Sequence, residues 1–356
     1  MIDMMGVTVD SSAIVGAILI AMITIWYLGW LSKAKSTPTV TDLKIYPNKS
    51  CGAITLAAAH ATETGFENDR IAQISDADGT YCTPRHTQYA KLFHIQPKLS
   101  DRDNDNDNDN DNGSDATKHK KLLLSSPNAT HELELDLVPH NNDTRATDVV
   151  PMTGPTVNLQ DYGEDATQWI EQATGVKSLR LTRIGTEYQR HVTVNEYQNE
   201  PLLATASPPV SLANEAPYLL TSTSSLQDLN QRLRARNKDP VDMRRFRPNI
   251  VDVGLAPWED DSLARVRIGT AEFWVWQRCG RCSMTTVNRD TLERSSEPLA
   301  TLGTFRLREN GQRNFGMHLI PVPGTVGNNS IIQVGDALQI LEYDAERQAE
   351  WKRLFG

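Results

Sequence analysis

From Pro248 onward the chain is written in short runs that suit strands and little else. Ala264–Gly269 (ARVRIG) alternates cleanly between apolar and charged residues, and Glu272–Gln277 (EFWVWQ) reads as a buried run. Ser283–Val287 (SMTTV), Ala300–Phe305 (ATLGTF) and Ile331–Ile340 (IIQVGDALQI) follow as further strand candidates. Many short strands with few helices between them predict a barrel-like β domain. At 356 residues the chain is long enough for about two domains, so a β-rich first half is expected to stand beside that barrel.

The first half bears this out in its pattern. Leu43 to Lys98 alternates the apolar runs LKIYP, AITLAAA, RIAQI and AKLFHI with turn residues, and Asp78-Gly79 predicts a hairpin. Leu135–Val138 and Ser178–Ile184 (SLRLTRI) read as strands, and Asp165–Thr174 as an amphipathic helix stopped by Gly175. Ser225 and Asp228 form a capping-box pattern ahead of Leu226, Leu229 and Leu233, which share one helical face. Asp344–Phe355 reads as a charged, exposed helix. The expectation is an α+β, mainly β protein with domains over 40–185 and 186–342 and a tail over 343–356.

The net charge of −9 argues against nucleic acid only superficially, because it is concentrated. Asp101–Asp115 holds seven Asp and one Arg, so the rest of the chain carries only −3. Alternating Asp and Asn repel and bury nothing, which predicts a disordered insertion over about 100–121. A calcium loop is disfavoured, since no Glu closes a twelve-residue loop and no helices flank it. No basic cluster with interleaved aromatics suggests a nucleic-acid partner.

Residues 11–32 carry no charge, and Ala13–Leu31 (AIVGAILIAMITIWYLGWL) is long enough to cross a bilayer. Trp26, Tyr27 and Trp30 gather at one end, with Lys33 and Lys35 just beyond. The segment is expected to be a single-pass anchor that leaves the remainder in the cytosol. Five N-x-S/T sequons (Asn48, Asn112, Asn128, Asn142, Asn328) mildly favour the same side. Four cysteines are too few for a disulfide scaffold.

No HExxH, GxSxG, phosphate-binding glycine loop or dinucleotide fingerprint is present, and the His residues are scattered. Cys279-Gly-Arg-Cys282 stands out. It reads as a dithiol redox pair, as half a zinc site completed by Cys51 and Cys82, as a single thiolate ligand to a soft metal, or as two buried thiols. The strand-like residues after Cys282 weaken the redox reading. Arg232 to Arg247 forms a basic concentration, within which Arg247 and Asn249 offer a planar fork and an amide to a phosphate. Lys49 and Ser50 add donors beside a Pro turn.

Taken in order, several stretches resemble the MOSC family, and within it the branch of the mitochondrial amidoxime-reducing components. They are LKIYPNKSCGAITL, NDR at Asn68–Arg70, TPRHTQYAKL, GEDATQWIEQATG, SLQDLNQRL, RFRPNIV, WEDDSLARVRIG, RCSMTTVNRDT, EPLATLGTFR and VGD at Val334. The resemblance covers most of Val40–Leu341. It implies a MOSC N-terminal β-rich domain over 40–185, followed by the MOSC β-barrel domain. It also implies a molybdenum cofactor, a pterin dithiolene with one protein cysteine on the metal, and at family level pyridoxal phosphate binding. Cys282 matches the ligand and catalytic cysteine. Lys49, Ser50, Arg70, Arg247, Asn249, Gly280 and Arg281 match cofactor-binding positions. The implied activity is reduction of small N-hydroxylated substrates, amidoximes and hydroxylamines, with electrons from a b-type cytochrome and its NADH-dependent reductase. The implied alternative is a cofactor or sulfur carrier without turnover. The anchor then suggests the lipid bilayer of the mitochondrial outer membrane ahead of the endoplasmic reticulum. Asn288–Leu292 (NRDTL) departs from the family's Asp-Pro-Asp-Thr-Gly, Val251–Gly254 departs from its apolar run, and the Asp/Asn tract is extra.

Overall fold

A computed structural model describes residues 37–100, 121–137, 146–149, 156–185, 188–191, 208–327 and 329–356. The expected anchor over 11–32 and most of the Asp/Asn insertion lie outside these residues. Among the described residues, no helix is long and apolar enough to cross a membrane.

Eight strands make the main sheet, in the order Leu338–Tyr343, Leu263–Ile268, Ala271–Gly280, Asn314–Pro321, Tyr218–Ser222, Ile250–Val253, Thr39–Ile45 and Ile54–Leu56. All neighbours pair antiparallel except Tyr218–Ser222 with Ile250–Val253. That parallel pair is joined by the crossover helix Thr223–Ala235, as a parallel connection requires. Backbone bonds from Leu338 N to Pro38 O (2.7 Å), Val40 N to Asp336 O (2.9 Å) and Gly335 N to Val40 O (2.8 Å) join the first strand, at Leu338, to the start of the seventh, Thr39–Ile45. Seven strands thus close into a barrel, which removes the open edges. Leu43, Ile45, Leu220, Ile250, Val266, Phe273, Met317 and Leu319 fill one buried cluster.

The first half adds a four-stranded sheet (Ala72–Ser75, Arg180–Arg183, Val157–Asp161, Ala146–Val149) and a three-stranded one (Gln96–Ser100, Lys121–Ser125, Leu133–Asp136). A second three-stranded sheet pairs Ala58–Thr62 with both Gly65–Phe66 and Ile331–Gln333 of the second half. The helix Glu164–Thr174 buries Trp169, Ile170 and Ala173 against Leu122, Leu124 and Leu181. Gly175 ends it at φ 77°, a left-handed conformation that glycine adopts without a Cβ penalty. Gly79, at φ 78°, turns the chain between Asp76 and Thr80, and the flanking residues pair antiparallel through Asp76 N to Thr80 O (2.9 Å), the Ser75–Tyr81 bridge and Cys82 N to Ile74 O (2.9 Å). The expected hairpin is present, and short.

Four local expectations are corrected. Ser283–Thr286 is a 3-10 turn rather than a strand. Thr285 Oγ1 donates to Cys282 O (2.9 Å) and Thr286 Oγ1 to Ser283 O (2.8 Å), which tightens the turn. Leu299–Leu302 is a helical turn, with Glu297 accepting from Thr301 N (2.9 Å), so ATLGTF is not a strand either. The helix expected to begin at a Ser225 cap begins at Thr223. Ser225 is buried within it, donating to Asp260 (3.2 Å) and accepting from Trp258 N (2.8 Å). Tertiary partners have taken that hydroxyl, so it caps nothing. The C-terminal helix Ala345–Phe355 is docked, with Trp351 and Phe355 packed on the cluster around Trp258 and Phe315.

Candidate functional site

Strand irregularity aims the site. Ala271–Gly280 pairs with Asn314–Pro321, but its register shifts between Val275 and Gln277 and again between Arg278 and Gly280. Such bulges bend a strand and redirect its end. Cys282 emerges just beyond the second shift, half-buried, as the extended residue immediately before the 3-10 turn. Arg281 fixes that exit. Its Nε and NH2 donate to Phe315 O (2.9 and 2.7 Å), and its NH1 donates to Phe246 O (2.9 Å). Cys279 is buried instead, and burial pushes its thiol up to about 12, so it stays protonated.

The opposite wall comes from the loop after Thr39–Ile45. Lys49 and Ser50 follow Pro47, with Ser50 left-handed at φ 76°. Ser50 Oγ bonds the Tyr81 hydroxyl. Lys49 is buried, and its Nζ lies 4.4 Å from the Tyr81 ring with no hydrogen-bond partner among the described residues. Burial, with Arg190, Arg70 and Arg85 nearby, holds this amine well below the usual lysine range. A third wall is Arg245–Asn249, where Arg247 adopts φ 55° before Pro248. Arg247 donates to Cys51 O, and both its guanidinium and that of Arg70 lie over the Tyr46 ring, at 4.1 and 5.0 Å.

All eight residues singled out in the sequence line one cavity of about 150 Å³: Lys49, Ser50, Arg70, Arg247, Asn249, Gly280, Arg281 and Cys282. They do not all face it with free groups. Asn249 is fully committed: Oδ1 accepts from Leu219 N (3.2 Å) and Arg70 (3.3 Å), and Nδ2 donates to Lys44 O (3.2 Å) and Asp69 (3.0 Å). Its amide ties three segments together and holds Arg70, rather than reaching for a phosphate. Arg281 likewise spends its donors on carbonyls.

The same cavity includes residues that sequence reasoning did not select: Tyr81, Arg85, Glu215, Arg245 and His318. Arg85 sits in TPRHTQYAKL and had a usable signal in that stretch; His318 is one of eight scattered histidines and had none. Burial and the Arg281 and Arg70 charges pull His318 down to about 3, so its ring is neutral near pH 7. It lies 3.6 Å from the Glu215 carboxylate and 3.3 Å from Gln277. Among the described residues no three His, Cys, Asp or Glu side chains converge on a metal position. A metal at Cys282 must therefore bring its other ligands with it. Free cationic donors on one side and a half-buried thiol on the other suit such a metal complex carrying an anionic group.

Two family models match this chain. "MOSC N-terminal beta barrel domain" covers residues 37–177, and "MOSC domain" covers residues 207–339. The mouse mitochondrial amidoxime-reducing component 1 is 30% identical over 313 residues, spanning 85% of this chain and 82% of its own. The chain belongs to the MOSC family. The human mitochondrial amidoxime-reducing component 1 is 27% identical over 332 residues, covering 89% of this chain and 88% of the relative. Rice molybdenum cofactor sulfurase is 30% identical over 294 residues, or 81% of this MOSC chain, but the match spans only 33% of that relative's length. The relatives of this MOSC protein thus include amidoxime-reducing components matched over most of their length and a molybdenum cofactor sulfurase matched over a third of its length.

Proposed function

We propose that this MOSC protein is a molybdenum-cofactor enzyme that reduces N-hydroxylated compounds, amidoximes and hydroxylamines. One observation carries the reading: a single cavity joins the half-buried Cys282 thiol to a buried lysine amine that has no hydrogen-bond partner among the described residues. When bound, the cofactor supplies the two-electron removal of oxygen from the substrate N–OH. The chain's own residues do the rest. Cys282 supplies the one protein sulfur, and Arg281, anchored on Phe246 and Phe315 carbonyls, keeps that cysteine on the cavity wall. Lys49, Ser50, Arg70 and Arg247 supply charge and donors for the phosphate end. Asn249 and Asp69 hold Arg70 in place. Neutral His318 keeps a buried wall free of an extra positive charge, while the Glu215 carboxylate beside it is a proton source or sink at the cavity.

In this proposal electrons arrive from a b-type cytochrome and its NADH-dependent reductase. The segment over 11–32 anchors the protein in a membrane, the mitochondrial outer membrane ahead of the endoplasmic reticulum, with the body in the cytosol. A second reading is favoured by the sulfurase relatives: a cofactor or sulfur carrier on the same fold, without reductase turnover. Both are tested by measuring molybdenum content and NADH-coupled benzamidoxime reduction in wild type, Cys279→Ala and Cys282→Ala. Loss of molybdenum and activity in Cys282→Ala alone supports the reductase. Bound molybdenum without turnover, with the cytochrome chain supplied, supports the carrier. A wild type without molybdenum, whose disulfide-exchange activity both substitutions abolish, ends both readings.

A further inference from the structure

A second and larger cavity, of about 660 Å³, lies beyond Arg247. Arg247 is the one residue it shares with the cavity of Cys282. Lys44, Arg244, Arg247 and Arg289 line it against a single carboxylate, Asp290. Two of these cations are neutralised: Lys44 pairs with Asp42 (2.6 Å), and Arg244 with Asp242 (2.7 Å) and Asp290 (2.9 Å). Arg247 and Arg289 have no carboxylate partner among the described residues.

Arg289 is the sharper observation. It comes from Asn288–Leu292, the loop in which the sequence departs from the family pattern. The Asn288 side chain holds that loop by accepting from Asp290 N (2.8 Å) and Thr291 N (3.1 Å). The Arg289 guanidinium lies 3.5 Å from the centre of the Phe93 ring, and NH2 donates to Arg245 O (3.2 Å). Arg289 Nε and NH1 are buried with no hydrogen-bond partner among the described residues. Burial and the neighbouring Arg247 charge pull this group down to about 9, a sign of positive charge packed without compensation. Two unpaired N–H donors beside an uncompensated Arg247 leave an anion as the missing component.

We infer that this cavity is a binding site for a phosphorylated small molecule of nucleotide size. With Asp42 and Asp242 counted beside Asp290, Lys44, Arg244, Arg247 and Arg289 leave net +1. The surplus sits on two guanidiniums without a carboxylate partner among the described residues, Arg247 and Arg289, and two planar forks suit the several oxygens of a phosphate better than a single carboxylate. The volume lies in the range of small-molecule sites and exceeds what inorganic phosphate alone fills. Phe93, Ala53 and Pro127 give an apolar wall for the organic part. The site is distinct from the cofactor cavity, and its test is independent of the reductase reading.

The test is equilibrium binding of ADP to the purified full-length protein by calorimetry, with molybdenum content measured on the same samples. Saturable binding at one site per chain is expected. It should weaken at least tenfold in Arg289→Gln, less in Arg289→Lys, and not at all in Lys49→Gln, which alters only the other cavity. Molybdenum content should be unchanged in Arg289→Gln, which also reports that the variant is folded. Inorganic phosphate should compete and adenosine should not. No saturable ADP binding to wild type overturns the inference. So does loss in Lys49→Gln with retention in Arg289→Gln, which assigns the phosphate to the cofactor cavity. Competition by adenosine without competition by phosphate also overturns it.

Discussion

Lys49 is the residue whose energetics bear most directly on function. A buried amine without a hydrogen-bond partner leaves about 1–3 kcal/mol of desolvation uncompensated, and its contact with the Tyr81 ring returns about 0.5–1 kcal/mol at most. Replacing it with Met keeps the length of the side chain and removes the polar group. Lys49→Met is therefore expected to stabilise the cofactor-free protein, by up to about 2.5 kcal/mol at pH 9.5. At roughly 2 °C per kcal/mol for a body of this size, the melting temperature should rise by up to about 5 °C.

Protonation adds a pH signature. The folded-state amine sits well below its unfolded value of about 10.4. Between those two values the unfolded chain binds the proton and the folded chain does not. Wild-type stability then rises with pH across that window, by up to about 1.4 kcal/mol per unit. Lys49→Met lacks this dependence, so its advantage over wild type should be larger at pH 7 than at pH 9.5. Urea denaturation of protein produced without the cofactor reads both quantities. A variant less stable than wild type, or an advantage that grows with pH, refutes the reasoning. With cofactor supplied, the same variant should lose molybdenum, because the anion's partner is gone.

Three further outcomes follow from other contacts. Arg306 makes a bidentate pair with buried Asp261 (2.6 and 2.8 Å), so Arg306→Ala should lose about 3–5 kcal/mol in urea denaturation. Burial raises the Asp261 carboxyl, but Arg306 and Arg278 outweigh it and leave it below the usual range. That contribution is present above the unfolded carboxylate value and is lost as pH falls through the folded one, so Arg306→Ala should flatten the acid limb of stability. Asn249→Ala removes the side-chain partner of Leu219 N and of Lys44 O, each worth about 1–3 kcal/mol if left unsatisfied, whereas Asp69 keeps Tyr46 N and Arg70, and thermal melting should fall together with molybdenum content. Asp344 caps the last helix by accepting from Arg347 N (2.8 Å); Asp344→Ala should cost about 0.5–2 kcal/mol, seen as faster hydrogen exchange within Ala345–Phe355 alone.

Local chemistry was legible in the sequence where a residue's role is decided by its neighbours in the chain. Gly175 stops a helix because the left-handed position favours glycine, and Leu229 and Leu233 share a buried face because 3.6-residue spacing puts them there. Ser283–Val287 misled, because Thr-Thr has strand propensity while their hydroxyls bond carbonyls three residues back. Ser225 misled because a distant partner, Asp260, outcompetes the local cap. Barrel closure by residues 38–40 against 335–338 joins segments nearly 300 apart, and no local pattern encodes it.

The same division explains the site. Lys49, Arg247 and Cys282 were identifiable as residue types suited to a phosphate and a metal, but their worth depends on which groups the fold leaves unpaired. Asn249 and Arg281 have equally suitable chemistry, yet the fold consumes their donors in holding the walls. Lys49 Nζ and the Nε and NH1 of Arg289 are left over. A chain tolerates a buried unpaired donor when something outside the chain pairs it, because the cost in the free state is returned on binding. By that criterion each of the two cavities holds, among the described residues, an unmet demand for an anion, with Arg247 between them. Substituting Lys49 and Arg289 in turn should therefore remove two different ligands.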